Sequence, residues 1–155
     1  MRDGSCRPAD GTRDNGRVSS PGPQPINLEG VEAATFFDAV GGHATFEALV
    51  SGFYARVPHD PVLKPIYEGH PYADAAKRLQ LFLEQYWGGP RTYSEVRGHP
   101  RLRARHAEFR IDRAARDAWL TNMRAALDDL DLAPDADRVL WDYLVTAADM
   151  LVNTH

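Results

Sequence analysis

Apolar side chains recur at helical spacing along the chain from residue 36 onward. The clearest stripe has the i, i+3, i+4, i+7, i+8, i+11 spacing of an amphipathic α-helix, and it consists of Phe46, Leu49, Val50, Phe53, Tyr54 and Val57. Further stripes predict helices over about residues 79–86, 112–130 and 134–151. The last of these helices would bury Val139, Leu140, Tyr143, Leu144, Ala147 and Leu151. Because no segment alternates convincingly as a strand does, the pattern predicts an all-α fold.

Glycine and proline mark the ends of these helices. A short helix over the segment TFFDAVGG is expected to stop at Gly41 and Gly42, because glycine adopts the left-handed conformation that ends helices. Residues 58–71 contain four prolines, which leaves room only for turns and one-turn helices. Residues 91–100 are expected to be irregular, with a short helix after Pro100. The predicted elements are therefore four longer helices with short helices and turns between them.

The composition indicates one globular domain preceded by a polar extension. Residues 1–30 hold five glycines and four prolines and no aromatic side chain. Such a segment cannot bury enough surface to offset its ordering entropy. We therefore expect a disordered N-terminal extension over residues 1–32 and a folded domain over residues 33–155. The single cysteine, Cys6, excludes an internal disulfide, and together with the lack of a signal-like apolar segment it favours a cytoplasmic location.

Charge and hydropathy exclude several classes of partner. The net charge of −4 gives no electrostatic basis for binding nucleic acid or a membrane surface. No apolar run reaches the ~20 residues that a membrane span needs. The chain carries no flavin or nicotinamide fingerprint, so any reductase would be a separate protein.

The segment RLRARHAEFRI, residues 101–111, places one histidine among four arginines. If it is helical, Leu102, His106 and Phe109 fall on one stripe at i, i+4 and i+7. From this spacing alone, His106 is most simply a core histidine that is hydrogen-bonded to a backbone carbonyl. Alternatively it binds iron, because a single protein ligand suffices when haem supplies four nitrogens, and arginines pair well with haem propionates.

Three segments of the chain carry a specific family pattern. They are FFDAVGGHATFEALVSGFYARVPHDPVLKPIYEG, RLQLFLEQYWGGPRTYSEVRGHPRLRARHAEFRI and RDAWL. Together they resemble the group II truncated haemoglobins, of the truncated haemoglobin O kind found in actinobacteria, over about residues 36–153. The resemblance implies a truncated globin, a two-over-two helical sandwich that encloses haem b. The glycine pairs at 41–42 and 88–89 match those that allow this compact sandwich.

The resemblance also implies how the haem is held. His106 matches the proximal iron ligand, and we expect its Nδ1–H to donate to a backbone carbonyl one turn earlier, that of Leu102. Arg78 and Arg105 are the candidates for the haem propionates, and Tyr93 is a further one.

The remaining site residues implied by the resemblance surround the iron. The distal residues, expected to face a bound gas, are Tyr54, Tyr67, Trp119 and Ala75, the last small enough to leave a gap for entry. The residues expected to line the haem pocket are Leu79, Phe82, Leu83 and Phe109.

The function expected for such a pocket is binding of dioxygen, and of other diatomic gases such as NO and CO, at a five-coordinate haem iron. Hydrogen bonds from the distal tyrosines and Trp119 would retain the bound gas tightly. Tight retention would make the protein a poor vehicle for oxygen delivery. The alternative is a haem enzyme for NO dioxygenation or peroxide detoxification, which needs a separate reductase for sustained NO turnover. A haem-free helical interaction module is the third class, and it predicts a colourless protein. The sequence is compatible with a monomer or a homodimer.

Overall fold

The computed structural model describes residues 35–155. The predicted extension over residues 1–32, with Cys6, lies outside the described residues. The described part contains no strand, which confirms the all-α class, and none of its helices is long and apolar enough to cross a membrane. The elements are, in chain order, α1 (Phe36–Ala39), α2 (His43–Arg56), a 3₁₀ turn (Val57–His59), α3 (Leu63–Ile66), α4 (Tyr72–Tyr86), α5 (Thr92–Arg97), α6 (Leu102–His106), α7 (Arg113–Asp128) and α8 (Pro134–Leu151).

The four long helices form the two layers of the domain. α2 packs against α4 and α7, and α7 packs against α8. The layer of α2 and α4 therefore lies over the layer of α7 and α8, which is the expected two-over-two sandwich. The large side chains buried between the layers are Phe46, Leu49, Phe53, Leu83, Met123, Leu127, Leu140 and Leu144.

The predicted glycine pair separates α1 from α2. Gly41 and Gly42 have φ angles of 109° and 66°, in the region that side-chain-bearing residues avoid. The amide of Phe37 donates to the carbonyl of Trp87 at 3.0 Å, which fastens α1 to the end of α4. α1 is thereby held against α4, the helix that carries the pocket-lining candidates Leu79, Phe82 and Leu83.

The segment 91–100, expected to be irregular, contains the helix α5. Gln85 at the end of α4 holds its first turn: Oε1 accepts from the amide of Ser94 at 2.9 Å, and Nε2 donates to Ser94 Oγ at 2.7 Å. Tyr93, on the same helix, is only 4% exposed. The prediction of an irregular segment was wrong for two reasons. The bonds that hold α5 come from Gln85, nine residues before Ser94, and a helix of six residues is too short to show helical periodicity.

Two predicted apolar faces also differ from the expectation. α6 ends at His106, so Phe109 lies in the loop that follows and is not on the same helix face. In α8, Val139 is 43% exposed, whereas Leu140 and Leu144 are fully buried. The buried stripe of α8 is therefore narrower than the apolar pattern predicted.

Candidate functional site

α6 presents its histidine at the last residue of the helix. His106 Nδ1 lies 2.6 Å from the carbonyl oxygen of Leu102, one turn earlier, as the sequence predicted. Because a carbonyl oxygen only accepts hydrogen bonds, Nδ1 carries a proton, and in this tautomer of the neutral imidazole the lone pair of Nε2 is available for a ligand. The half-buried ring is therefore oriented as a metal-binding imidazole is.

The surroundings of His106 do not supply a set of further metal ligands. Within residues 35–155, no group of three or more histidine, cysteine, aspartate or glutamate side chains could hold a metal ion. A structural zinc ion, which takes four protein ligands, does not fit this arrangement. A haem iron does, because the macrocycle brings four nitrogens and needs one histidine from the protein.

Three helices bring the predicted distal residues together. The rings of Tyr54, on α2, and Tyr67, after α3, meet edge to face with centroids 5.6 Å apart. Trp119, on α7, packs on Phe53 at 5.4 Å, and Phe53 contacts Tyr54 at 5.0 Å. Tyr72 joins the cluster at 6.4 Å from Tyr54 and 6.2 Å from Tyr67. Sequence reasoning missed Tyr72, because the helix was predicted only from about residue 79, whereas α4 begins at Tyr72.

Burial keeps the two phenols of this cluster protonated. The pKa of Tyr54 is raised well above its ordinary value, chiefly by burial and then by the neighbouring Tyr67. Burial also raises the pKa of Tyr67, and hydrogen bonding with Tyr54 and Trp119 opposes that rise. Both side chains therefore remain O–H donors at neutral pH, beside the indole N–H of Trp119.

α4 supplies the predicted pocket wall and one predicted propionate partner. The positive charge of Arg78 acts on both Tyr54 and Tyr67, where it lowers the pKa against the effect of burial. Arg78 thus lies close enough to these two tyrosines for its charge to act on them. Ala75 is buried one turn earlier on the same helix. The remaining predicted members of the wall, half-buried or buried against the core, are Leu79, Phe82 and Leu83.

Arg105 is held by backbone carbonyl groups. Its Nε donates to the carbonyl of Pro100 at 2.8 Å, and its Nη2 donates to that of Arg97 at 2.7 Å. The guanidinium carbon also lies 5.8 Å from the centre of the Tyr93 ring. Arg105 therefore braces the loop between α5 and α6, and Nη1 remains the nitrogen that could meet a propionate.

Phe109, in the loop after α6, packs against the segment that precedes α4. Its ring centroid lies 5.2 Å from that of His70 and 6.4 Å from that of His106. His70 was absent from the predicted site, because a histidine between Gly69 and Pro71 looks like an ordinary exposed turn residue. No signal in the sequence pairs it with Phe109, since the contact spans 39 residues of chain.

Known proteins resemble this chain in sequence and in fold. A family model described as "Bacterial-like globin" matches residues 35–153. The group 2 truncated haemoglobin YjbI of Bacillus subtilis is 39% identical over 117 residues, which cover 76% of this chain and 87% of that protein.

Solved structures give the same result. A thermostable haemoglobin from the actinobacterium Thermobifida fusca is 57% identical, with a TM-score of 0.76, and the match covers 77% of this chain and 98% of that one. A truncated oxygen-avid haemoglobin from Bacillus subtilis is 39% identical, with a TM-score of 0.72, over 77% of this chain and 99% of that one.

Proposed function

The chain belongs to the bacterial-like globin family as a group II truncated haemoglobin, and we propose that it holds haem b through His106 and binds dioxygen on the opposite face of the haem. Truncated haemoglobins are globins that bind haem and gas ligands. The proposal concerns the residues of this chain that hold the cofactor and those that retain the gas.

The observation that carries the proposal is the 2.6 Å contact between His106 Nδ1 and the carbonyl oxygen of Leu102. It fixes the tautomer in which Nε2 can bind iron. A carbonyl is a weaker acceptor than a carboxylate, so the imidazole is only a modest electron donor. That property suits gas binding better than cleavage of an O–O bond, which an electron-rich axial ligand favours.

Haem bound there would supply an iron with one open position for dioxygen, or for another diatomic gas such as NO or CO. Tyr54, Tyr67 and Trp119 would donate hydrogen bonds to that gas, since a phenol is protonated at neutral pH and burial raises the pKa of both tyrosines further. Ala75, being small, would leave a gap on this side for entry. One such hydrogen bond contributes about 1 kcal/mol, and somewhat more when the acceptor is partly charged, as bound dioxygen is. Two or three would therefore slow release by roughly one to three orders of magnitude.

For the haem propionates we propose Arg78 and Arg105, with Tyr93 beside Arg105. The positive charge of Arg78 acts on Tyr54 and Tyr67, which places it near the proposed distal residues. The guanidinium of Arg105 is fixed by its bonds to the carbonyls of Pro100 and Arg97, which would present Nη1 at a constant position. Leu79, Phe82, Leu83 and Phe109 complete the proposed pocket as its apolar lining.

Slow release suits scavenging, sensing or redox turnover of dioxygen better than delivery. The Bacillus subtilis neighbour described as oxygen-avid is consistent with such retention. Turnover, for instance oxidation of NO to nitrate, would need a separate reductase to return the iron to the ferrous state. Dioxygen binding is therefore the function that we propose, and an enzymatic role stays the alternative.

The test is the visible absorption spectrum of the haem-loaded protein, recorded ferric, then reduced with dithionite, then with carbon monoxide. We expect a Soret band that shifts at each step. His106→Ala should lose the histidine-ligated spectrum and regain it with added imidazole, whereas His59→Ala, a change in the exposed 3₁₀ turn, should match the wild type. A spectrum unchanged in His106→Ala, or a protein that does not take up haem, would contradict the proposal.

A further inference from the structure

We infer that Asn153, in the tail after α8, is a positioning residue for His106, and that it acts through the loop that follows α6. The inference rests on the proposed role of His106 as the iron ligand. It assigns to the C-terminal tail a part in setting the proximal side of the haem.

The side chain of Asn153 makes three hydrogen bonds with the loop over residues 106–111. Its Nδ2 donates to the carbonyl of Phe109 at 2.8 Å and to the carbonyl of His106 itself at 3.3 Å. Its Oδ1 accepts from the amide of Ile111 at 2.9 Å. One amide group thus connects both ends of the loop, using the donor and acceptor capacity that only asparagine and glutamine side chains combine in this way.

Backbone contacts reinforce this attachment. The amides of Asn153 and Thr154 both donate to the carbonyl of Ile111, at 2.9 and 3.1 Å. The tail is therefore aligned along the loop, and the side chain of Asn153 is placed by its own backbone. The bonds join positions more than 40 residues apart, so they connect α6 with the end of α8.

α6 needs such external support because it is only five residues long. A helix of one turn is not stable by itself in water. Its own continuation is a weak turn, in which the amide of Ala107 donates to the carbonyl of Ala104 at 3.4 Å. Within the loop, the carbonyl of His106 also accepts from the amide of Phe109 at 3.0 Å, but this local bond does not fasten the loop to the rest of the domain. The position of the loop relative to α8 therefore depends on contacts from elsewhere in the chain.

Two restraints then act on the same histidine. The carbonyl of Leu102 fixes the rotation of the imidazole ring, and Asn153 fixes the backbone from which the ring projects. Without the second restraint the ring can tilt with the loop even though its Nδ1 bond persists. The expected consequence is a changed bond from Nε2 to iron and faster loss of haem.

The experiment compares Asn153→Ala and Asn153→Asp with the wild type in the full-length, haem-loaded protein. The readouts are the iron–histidine stretching band in the ferrous, gas-free resonance Raman spectrum and the rate of haem transfer to an excess of apomyoglobin. Aspartate keeps the acceptor for Ile111 but loses both donated bonds. We expect both variants to shift or broaden the band and to lose haem about threefold to tenfold faster.

Arg116→Ala is the matched control. It removes exposed bonds that join α7 to Asp149 in the last turn of α8, without touching the loop. We expect it to lower the melting temperature but to leave the Raman band in place. If the Asn153 variants show the wild-type band and haem loss, or if Arg116→Ala shifts the band equally, the inference is overturned. The proposed function fails separately, if the band is absent from the wild type.

Discussion

Asn122 Nδ2 donates a hydrogen bond of 2.8 Å to Asp60 Oδ2, which ties α7 to the turn before α3. The other oxygen of Asp60 accepts from the amide of Leu63, the first residue of α3, at 3.0 Å. Asn122 lies on the same face of α7 as Trp119, three residues earlier, and α3 leads directly to Tyr67. The pair therefore helps to set the distance between two of the proposed distal donors.

This pair should make the stability of the domain depend on acid pH. The pKa of the Asp60 carboxyl is lowered from its ordinary value. Burial by itself would raise this pKa, but hydrogen bonds from Asn122 and from two backbone amides stabilise the carboxylate and together outweigh burial. A carboxylate whose folded pKa is depressed contributes stability that is present above its unfolded pKa and lost as pH falls through the folded value. We expect Asp60→Asn to cost about 1 kcal/mol at neutral pH, and the difference from wild type to shrink below about pH 4.

Urea unfolding at several pH values measures that difference. Asp142→Asn, a change on the exposed side of α8, serves as the control and should give a stability close to wild type at every pH. A difference for Asp60→Asn that stays constant from pH 7 to about pH 3 would show that the carboxylate contributes nothing through its charge.

The long helices could be predicted because each buries a regular stripe within its own sequence. The contact of His106 with Leu102 was predictable for a related reason, since it is local to one helical turn. α5 was missed because Gln85, outside the segment, supplies its bonds. Phe109 was placed on the wrong element, since nothing local to the segment indicated that α6 would end at His106.

The candidate site was less accessible to sequence reasoning than the fold. The proposed distal roles of Tyr54, Tyr67 and Trp119 came from the family resemblance. The spacing of Tyr54 and Trp119 by itself was equally typical of core packing. The contact of His70 with Phe109 and the bonds of Asn153 were not anticipated. Both depend on how distant segments meet, which no periodic pattern records.

A side chain added at Gly88, in the turn after α4, should destabilise the domain. Its φ is 94°, and an added Cβ would come within 2.8 Å of the Thr35 side chain. Gly69 also has a positive φ, of 78°, but an added Cβ there meets nothing within 4 Å. We expect Gly69→Ala to cost about 1 kcal/mol from backbone strain alone, and Gly88→Ala to cost about 1–2 kcal/mol more. Thermal unfolding of both variants measures the difference, and equal losses would exclude the steric contribution.

The buried tyrosines should resist ionisation and make the domain sensitive to alkali. The pKa values of Tyr54, Tyr67 and Tyr143 are raised, in each case chiefly by burial. A phenol whose folded pKa is raised contributes stability that is fully present below the unfolded pKa of about 10 and is lost as pH rises through the folded value. We expect ultraviolet titration to show fewer than six tyrosines ionising before the protein unfolds.

Tyr54→Phe tests this directly. Between about pH 9 and pH 11, the unfolding free energy of Tyr54→Phe should fall less than that of the wild type. The unfolding free energy of Tyr86→Phe, at a residue that is 52% exposed, should fall as much as that of the wild type. Ionisation of all six tyrosines near pH 10 in protein with native circular dichroism would contradict the burial of the distal phenols.

The distal donors should govern how long dioxygen stays bound. Trp119 lies beside Phe53, with ring centroids 5.4 Å apart, so Trp119→Phe removes an N–H donor while it keeps an aromatic ring in the same place. Loss of one hydrogen bond of about 1 kcal/mol predicts release at least severalfold faster, measured by stopped-flow displacement of dioxygen with carbon monoxide. Tyr67→Phe should act in the same direction. Tyr143→Phe, stacked on Tyr86 with centroids 3.9 Å apart, should leave release unchanged. If dioxygen release from all three variants is as slow as from the wild type, Trp119 and Tyr67 have no part in gas retention and these aromatic residues serve only as core packing.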